Sequence, residues 1–168
     1  MIYYVTGGQR SGKSSFAQNL ALELSDNPIY LATSRIWDSE FEERVKRHQA
    51  DRDERWKNIE EEKFVSKHNF EGKTVLLDCV TLWLTNFFSD LDYDVAKALE
   101  ATKNEFEQLI KQDFNLIIVS NEIGMGLHAE SPGGRKFTDL QGWMNQYIAQ
   151  KADTAFLMVS GLPMKLKG

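Results

Sequence analysis

Gly7-Gly8-Gln9-Arg10-Ser11-Gly12-Lys13-Ser14 is the stretch that decides the fold class. It satisfies the spacing G-x-x-x-x-G-K-[ST] in full, and its surroundings are those the chemistry needs. A β-branched and aromatic run at residues 2–6 reads as a strand ending at Thr6. Residues 14–24 then place Ala17, Leu20, Ala21 and Leu24 at helical spacing. Glycines between a strand and a helix let backbone N–H groups converge on phosphate oxygens, and the helix N-terminus adds positive potential. Lys13 is expected to reach the β- and γ-phosphates of a nucleoside triphosphate, and the Ser14 hydroxyl to ligate Mg2+.

Outward from this loop, apolar runs alternate with helical patterns. Strands are predicted at residues 29–33, 74–79, 116–120 and 154–160, with a possible edge at 164–167. Helices are predicted at 38–52, 82–88, 94–111 and 135–152. The runs at 74–79 and 116–120 lack internal polar alternation, as strands buried on both faces do. Strands alternating with helices imply right-handed βαβ units. The expected fold is therefore α/β, a three-layer P-loop NTPase fold with a mostly parallel sheet, and residues 1–168 read as one domain. Residues 121–134 carry Gly124, Gly126, Pro132, Gly133 and Gly134 without periodicity and read as a mobile loop.

Bulk composition narrows the functional class. Hydrophobic residues make up 42% of the 168-residue chain, enough for a real core. A net charge of −5 offers no global basic field for nucleic acid, so no nucleic-acid partner is expected. No apolar run approaches the roughly 20 residues needed to span a bilayer. The single cysteine, Cys79, cannot form an internal disulfide and fits a reducing cytosol. The chain start runs straight into the motif without the basic and long apolar segments of a leader. The chain thus reads as cytoplasmic.

Two acids fall where such a sheet binds ligands. Asp78 ends an apolar run, and the carboxyl end of a parallel strand lies on the ligand side. It reads as a second Mg2+-holding group, or as an ordinary strand-end cap. Glu122 follows the run at 116–120 by the same logic, and could orient a hydroxyl or water or be a solvated loop acid. Ahead of both in the chain, Arg44, His48, Arg52 and Arg55 recur at helical spacing and would share one narrow face. Such a face could grip a polyphosphate, and nearby cations would keep an imidazole neutral and nucleophilic. A solvated basic stripe is the simpler reading of that spacing alone. His68 and His128 have no such setting, and the histidines and Cys79 show no metal-ligand spacing.

Together these residues resemble a known family. The run from Val5 and Thr6 through the phosphate loop is followed by Tyr30-Leu31-Ala32-Thr33-Ser34 and Arg44-Val45-Lys46-Arg47-His48. Trp56 and Glu60 come next, then Leu77-Asp78-Cys79-Val80-Thr81-Leu82-Trp83-Leu84-Thr85-Asn86 and Ser120-Asn121-Glu122-Ile123-Gly124-Met125-Gly126. Gly134-Arg135, Phe137, Asp139-Leu140 and Asn145 follow, and the chain closes on Val159-Ser160-Gly161-Leu162-Pro163-Met164-Lys165-Leu166-Lys167. This ordered set resembles the bifunctional adenosylcobinamide kinase / adenosylcobinamide-phosphate guanylyltransferase family of cobalamin biosynthesis.

The resemblance implies two activities. One is phosphorylation of the aminopropanol hydroxyl of adenosylcobinamide by GTP or ATP. The other is GMP transfer from GTP to adenosylcobinamide phosphate through a guanylyl-histidine. The family histidine falls on His48. The family nucleotide contacts fall on Gly7, Gly8, Gln9, Arg10, Ser11, Gly12, Lys13 and Ser14, and on Ala32, Thr33 and Ser34. They also fall on Gln49, Ala50, Asp51 and Arg52, and on Glu60 and Asp78. The family also implies a homotrimer. The sequence departs from the family habit at Gln49, where a basic residue is common, and at Asp53, where proline is common. Two other classes are open from the residues alone. A single-activity small-molecule kinase would use Lys13, Ser14 and Asp78 and leave His48 idle. A nucleotide switch would need an Asn-Lys-x-Asp guanine motif, whereas the strand end here reads Ser120-Asn121-Glu122-Ile123.

Overall fold

A computed structural model describes residues 1–35 and 53–168. Seven strands form one sheet in the order β3-β2-β4-β5-β1-β6-β7. The strands are β1 (Ile2–Gly7), β2 (Ile29–Ala32), β3 (Lys57–Glu60), β4 (Thr74–Asp78), β5 (Asn115–Asn121), β6 (Thr154–Val159) and β7 (Leu162–Lys167). Every pairing is parallel except β6 with β7. The helices among the described residues are α1 (Lys13–Leu24), α2 (Val80–Asp90), α3 (Val95–Leu109) and α4 (Pro132–Lys151).

Period-two alternation in the central strands builds two cores. Leu77, Leu116 and Ile118 face one side with Tyr4 and Leu31, against Trp83, Phe106, Leu140 and Met144 of α2–α4. Leu76, Ile117 and Val119 face the other with Val5 and Tyr30, against Ala17 and Ala21 of α1. Burial on both faces explains why these strands read as unbroken apolar runs. The result is a three-layer P-loop NTPase architecture around a mostly parallel sheet.

Helix starts follow cap chemistry. The Asp94 carboxylate accepts from the Lys97 N–H at 3.0 Å, and the Ser131 hydroxyl from the Gly134 N–H at 3.0 Å. Ser131 and Pro132 form a cap and first-turn pair, so α4 begins three residues before the predicted start at 135. Gly142 lies inside α4, where glycine costs about 1 kcal/mol relative to alanine. A Cβ at Gly142 would meet nothing within 4 Å, so packing does not require the glycine.

Two sequence expectations are corrected. Strand β3 was not anticipated: it is a four-residue polar edge strand paired with β2 alone. Arg55, expected on the basic helical face, belongs to a turn entering β3. Its guanidinium pairs with the Asp53 carboxylate at 2.6 Å. The remainder of that face, Arg44, His48 and Arg52, lies outside the described residues, as do Gln49, Ala50, Asp51 and the helix predicted at 38–52.

Candidate active site

Strand register brings the described strand-end site residues to the carboxyl end of the sheet. Gly7 ends β1 and pairs with Asn121 of β5 and Met158 of β6. Ala32 pairs with both Asp78 and Glu60, so three strand ends stand level. Strand β5 lies between β1 and β4. At about 4.8 Å per strand, Asp78 is therefore roughly 10 Å across the sheet from the phosphate loop's strand. That spacing suits a phosphate group and a metal ion between the two elements.

The loop itself is shaped by backbone contacts. A Cβ at Gly7 would lie 2.6 Å from Ser11 Oγ and 2.7 Å from the Met158 carbonyl, so no larger residue fits. Gly12 has φ 90°, a left-handed conformation that favours glycine, and Arg10 takes φ 58°. The Ser11 N–H donates to the Gly8 carbonyl at 3.3 Å. The turn joining β6 and β7 supports the loop from the other side: the Gly161 N–H donates to the Ser11 carbonyl at 2.9 Å. No side chain caps the N-terminus of α1, which leaves its first N–H groups directed at the loop concavity, the arrangement that binds phosphate. Lys13 Nζ donates to the Gly8 carbonyl at 3.0 Å and so lies over the loop.

Across the sheet, Asp78 Oδ2 accepts from the Tyr30 hydroxyl at 2.7 Å, and the Tyr30 ring packs edge-on against Trp56. Thr33 follows β2 and locks onto the end of β4. Its hydroxyl donates to the Cys79 carbonyl at 2.8 Å and accepts from the Cys79 N–H at 3.0 Å. Ser34 is the next residue. Asn86 of α2, fully buried, donates to the carbonyls of Thr33 at 2.8 Å and Glu62 at 2.9 Å. It thereby ties the ends of β2 and β3 together. Asn86 closes the motif that begins at Leu77, and its task is visible only in the fold. A buried amide on a helix between two strand ends is the signal that finds it. Just beyond, Arg35 pairs with Glu62 at 2.6 Å and Asp90 at 2.8 Å, and Lys63 joins Asp90.

The end of β5 is fixed by a buried polar network. Ser120 Oγ donates to Asn145 Oδ1 at 2.6 Å, and Gln141 Nε2 donates to Ser120 Oγ and Asn145 Oδ1 at 3.0 and 2.9 Å. Asn145 donates to the Asn121 carbonyl at 3.1 Å, and Asn121 Nδ2 to Thr81 Oγ1 at 2.9 Å. Glu122 follows: its N–H donates to the Gly7 carbonyl at 3.0 Å. Its Oε1 accepts from the N–H groups of Gly124 at 2.7 Å and Met125 at 3.2 Å. The Glu122 carboxylate thus organises the loop after β5 from a position beside the phosphate loop.

Cys79 sits in this frame as a buried thiol. Burial first, and the neighbouring Asp78 carboxylate second, push its pKa up to about 12. Near pH 8 its thiolate fraction would be about 10⁻⁴, and the thiolate is the reactive form. Iodoacetamide near that pH is expected to leave Cys79 unlabelled in the native chain and to label it fully in denaturant. Labelling of the native chain at the rate of a free thiol would contradict the buried placement.

Among the described residues, no three His, Cys, Asp or Glu side chains cluster to hold a metal, and no helix is long and apolar enough to cross a membrane. A hydroxyl and a single acid, Ser14 and Asp78, suit Mg2+, which takes one or two carboxylates and completes its shell with phosphates and water.

The chain matches other proteins over nearly its whole length. It is 34% identical over 182 residues to the bifunctional adenosylcobalamin biosynthesis protein CobU of Escherichia coli strain K12, covering 99% of this chain and 100% of that one. It is 36% identical over 169 residues to the bifunctional adenosylcobalamin biosynthesis protein CobP of Pseudomonas aeruginosa, covering 98% of this chain and 96% of that one. The flagellar accessory protein FlaH of Methanocaldococcus jannaschii superposes with a TM-score of 0.48 at 14% identity, covering 99% of this chain and 77% of that one. Residues 3–166 match the family described as cobinamide kinase / cobinamide phosphate guanyltransferase. With phosphate loop, strand-end acid and full-length likeness in one chain, the protein belongs to the cobinamide kinase / cobinamide phosphate guanyltransferase family.

Proposed function

We propose that this chain phosphorylates adenosylcobinamide and then transfers GMP from GTP to the resulting phosphate. The observation that carries the reading is the intact phosphate loop, at the same end of the sheet as the strand-end acids, in a chain matched along its length by bifunctional relatives. In the first reaction a hydroxyl oxygen of the acceptor attacks the γ-phosphorus of GTP or ATP. The bond to the bridging oxygen breaks, the nucleoside diphosphate leaves, and the hydroxyl proton is lost. In the second, an imidazole nitrogen of His48 attacks the α-phosphorus of GTP and pyrophosphate leaves. The acceptor phosphate then attacks the same phosphorus, forming the diphosphate product and freeing the imidazole.

The chain's own groups divide this work. The backbone of Gly7, Gly8, Gln9, Arg10, Ser11 and Gly12 would hold the phosphate chain, with Lys13 neutralising charge on the leaving diphosphate or pyrophosphate. Ala32, Thr33, Ser34, Glu60 and the segment Gln49, Ala50, Asp51 and Arg52 would hold the nucleoside and its phosphates during guanylyl transfer. Ser14 and Asp78 would hold Mg2+, which when bound neutralises charge on the phosphate oxygens. A homotrimer in a reducing cytosol, acting on GTP or ATP and the corrinoid without nucleic acid, completes the reading.

Incubation with GTP, with and without cobinamide, tests it. Nucleoside diphosphate should appear on addition of cobinamide, and pyrophosphate on addition of GTP to the phosphorylated product. Slow GDP release alone, indifferent to the acceptor, would overturn the enzymatic reading. Phosphorylation without any pyrophosphate would leave a single-activity kinase.

The metal assignment has its own test. Asp78→Asn keeps the Tyr30 hydrogen-bond acceptor but removes the negative charge. It is expected to raise the Mg2+ concentration for half-maximal turnover about tenfold or more, since a lost charged contact of 1.5–3 kcal/mol corresponds to roughly that factor. An unchanged Mg2+ titration would return Asp78 to the role of a strand-end cap.

A further inference from the structure

A cavity of about 490 Å³ opens between the loop after β5 and the outer face of α4, apart from the phosphate loop and the strand-end acids. Gly124, Gly126, Thr138, Asp139, Gly142 and Trp143 are among the residues that line it. The loop that borders it is tied to the nucleotide side. Gly124 donates its N–H to the Glu122 carboxylate at 2.7 Å, and the Glu122 N–H binds the Gly7 carbonyl at 3.0 Å. At its far end, Trp143 and Gln146 also line a second groove of about 530 Å³ between α3 and α4. The two together are far larger than an ion or a phosphate group needs.

Three features suit a bulky, partly apolar ligand. Trp143 is 47% exposed, and Met125 and Leu127 on the bordering loop are 79% and 99% exposed. Large apolar side chains lining a cavity, as Leu127 and Trp143 do here, mark a binding surface rather than scattered exposure. The polar groups beside them, Thr138, Asp139 and Gln146, can bond amides. Gly142 sits on the floor in a helix interior, where it weakens the helix and where no neighbour would obstruct a side chain. Open space above a helical glycine that packing does not require is what a ligand lying flat on the helix would need.

We propose that this cavity seats the corrin macrocycle of cobinamide, resting on Gly142 and against Trp143, with its hydroxyl-bearing side chain directed past Glu122 to the phosphate loop. The inference rests on the proposed function. Cobinamide is a broad macrocycle with apolar edges and an amide-rich rim, which matches an aromatic wall, exposed aliphatic residues and amide-bonding side chains. Its reactive hydroxyl is carried on a flexible arm, so the ring can bind at a distance from the γ-phosphate.

Gly142→Leu fills the cavity floor without meeting a neighbour and exchanges glycine for a strong helix former. It is expected to raise the KM for cobinamide about tenfold or more, a factor that corresponds to one well-packed contact surface, with the KM for the nucleotide unchanged and the melting temperature not lowered. Trp143→Ala should shift the same KM in the same direction, and equilibrium dialysis with cobinamide alone should show weakened binding in both variants. An unchanged cobinamide KM in a stably folded Gly142→Leu would overturn the proposal. So would a change of oligomeric state in size-exclusion chromatography of either variant, which would assign the groove to a second copy of the chain. Failure of the wild-type chain to phosphorylate cobinamide would instead overturn the functional reading beneath it.

Discussion

Lys13→Ala is expected to abolish both phosphorylation of cobinamide and guanylyl transfer, each falling at least about 10³-fold in kcat/KM. Removing one preorganised charged contact to a transferring or departing phosphate group typically costs several kcal/mol of transition-state stabilisation. The chain carries one phosphate loop, and the two reactions break different bonds of the same triphosphate. Phosphoryl transfer leaves charge on the departing diphosphate, and guanylyl transfer leaves it on pyrophosphate. Lys13 would neutralise both. Misfolding would not explain the loss, because Lys13→Ala removes an exposed hydrogen bond to the Gly8 carbonyl and leaves the loop's backbone contacts in place. The Ser11 N–H bonds the Gly8 carbonyl and the Gly161 N–H bonds the Ser11 carbonyl, and neither uses the Lys13 side chain. Melting temperature should stay near that of the wild type while nucleoside diphosphate and pyrophosphate release both vanish. Near-normal phosphorylation of cobinamide by Lys13→Ala would mean that the kinase reaction uses some other site.

What the sequence disclosed about this arrangement follows from where its signals were local. The loop and its flanks were legible because spacing, glycine and helix start lie within one short stretch. The central strands were legible because burial on both faces leaves a run with no polar break, as in Leu76 and Leu77 or Ile117 and Ile118. Strand β3 was not legible, since three of its four residues are exposed and it exists only by pairing with β2. Periodicity cannot register a polar edge strand. Arg55 failed in the opposite way. Its helical spacing from Arg52 was real, but Asp53 captures its guanidinium within a turn, and three or four residues between basic side chains occur as readily across a turn. The start of α4 was obscured because Pro132-Gly133-Gly134 reads as loop, although a serine before a proline is also the opening of a helix. Long-range polar ties were invisible altogether. Tyr30 to Asp78 spans 48 residues and Asn86 to Thr33 spans 53, and no single-chain pattern reports such partners. Those ties shape the site: Tyr30 orients the strand-end acid, and Asn86 holds the strand ends that bear Thr33 and Glu60.

The second large effect concerns His48, which GTP is expected to convert to a guanylylated imidazole. Guanylyl transfer to an acceptor phosphate requires attack at the α-phosphorus with pyrophosphate leaving, and a covalent intermediate divides that step into two easier displacements. In the sequence, His48 stands among cations: Arg44 and Arg52 flank it at helical spacing, and Lys46 and Arg47 precede it. Positive neighbours disfavour imidazolium and keep the ring nucleophilic near neutrality, while arginine forks suit the oxygens of a triphosphate. His68 has a different environment. It follows the 3₁₀ turn Val65–Lys67, 3.9 Å from the Glu61 carboxylate and beside Phe70, with an acid as its charged partner. His128 is exposed on the loop between β5 and α4, on the side where the acceptor is proposed to dock. His48→Ala should therefore lose the adduct and pyrophosphate release together. Cobinamide phosphorylation should persist, because γ-phosphoryl transfer needs the phosphate loop and the acceptor hydroxyl but no imidazole nucleophile. A phosphorus–nitrogen bond to imidazole is labile in acid and durable in base, so the adduct should survive alkaline denaturation and disappear on acidification, unlike an ester to serine. Mass spectrometry of the GTP-treated chain under alkaline conditions reads all of this directly. An adduct mapped to His68 or His128, or normal guanylyl transfer by His48→Ala, would remove His48 from the mechanism and leave the nucleophile to be sought elsewhere along the carboxyl edge of the sheet.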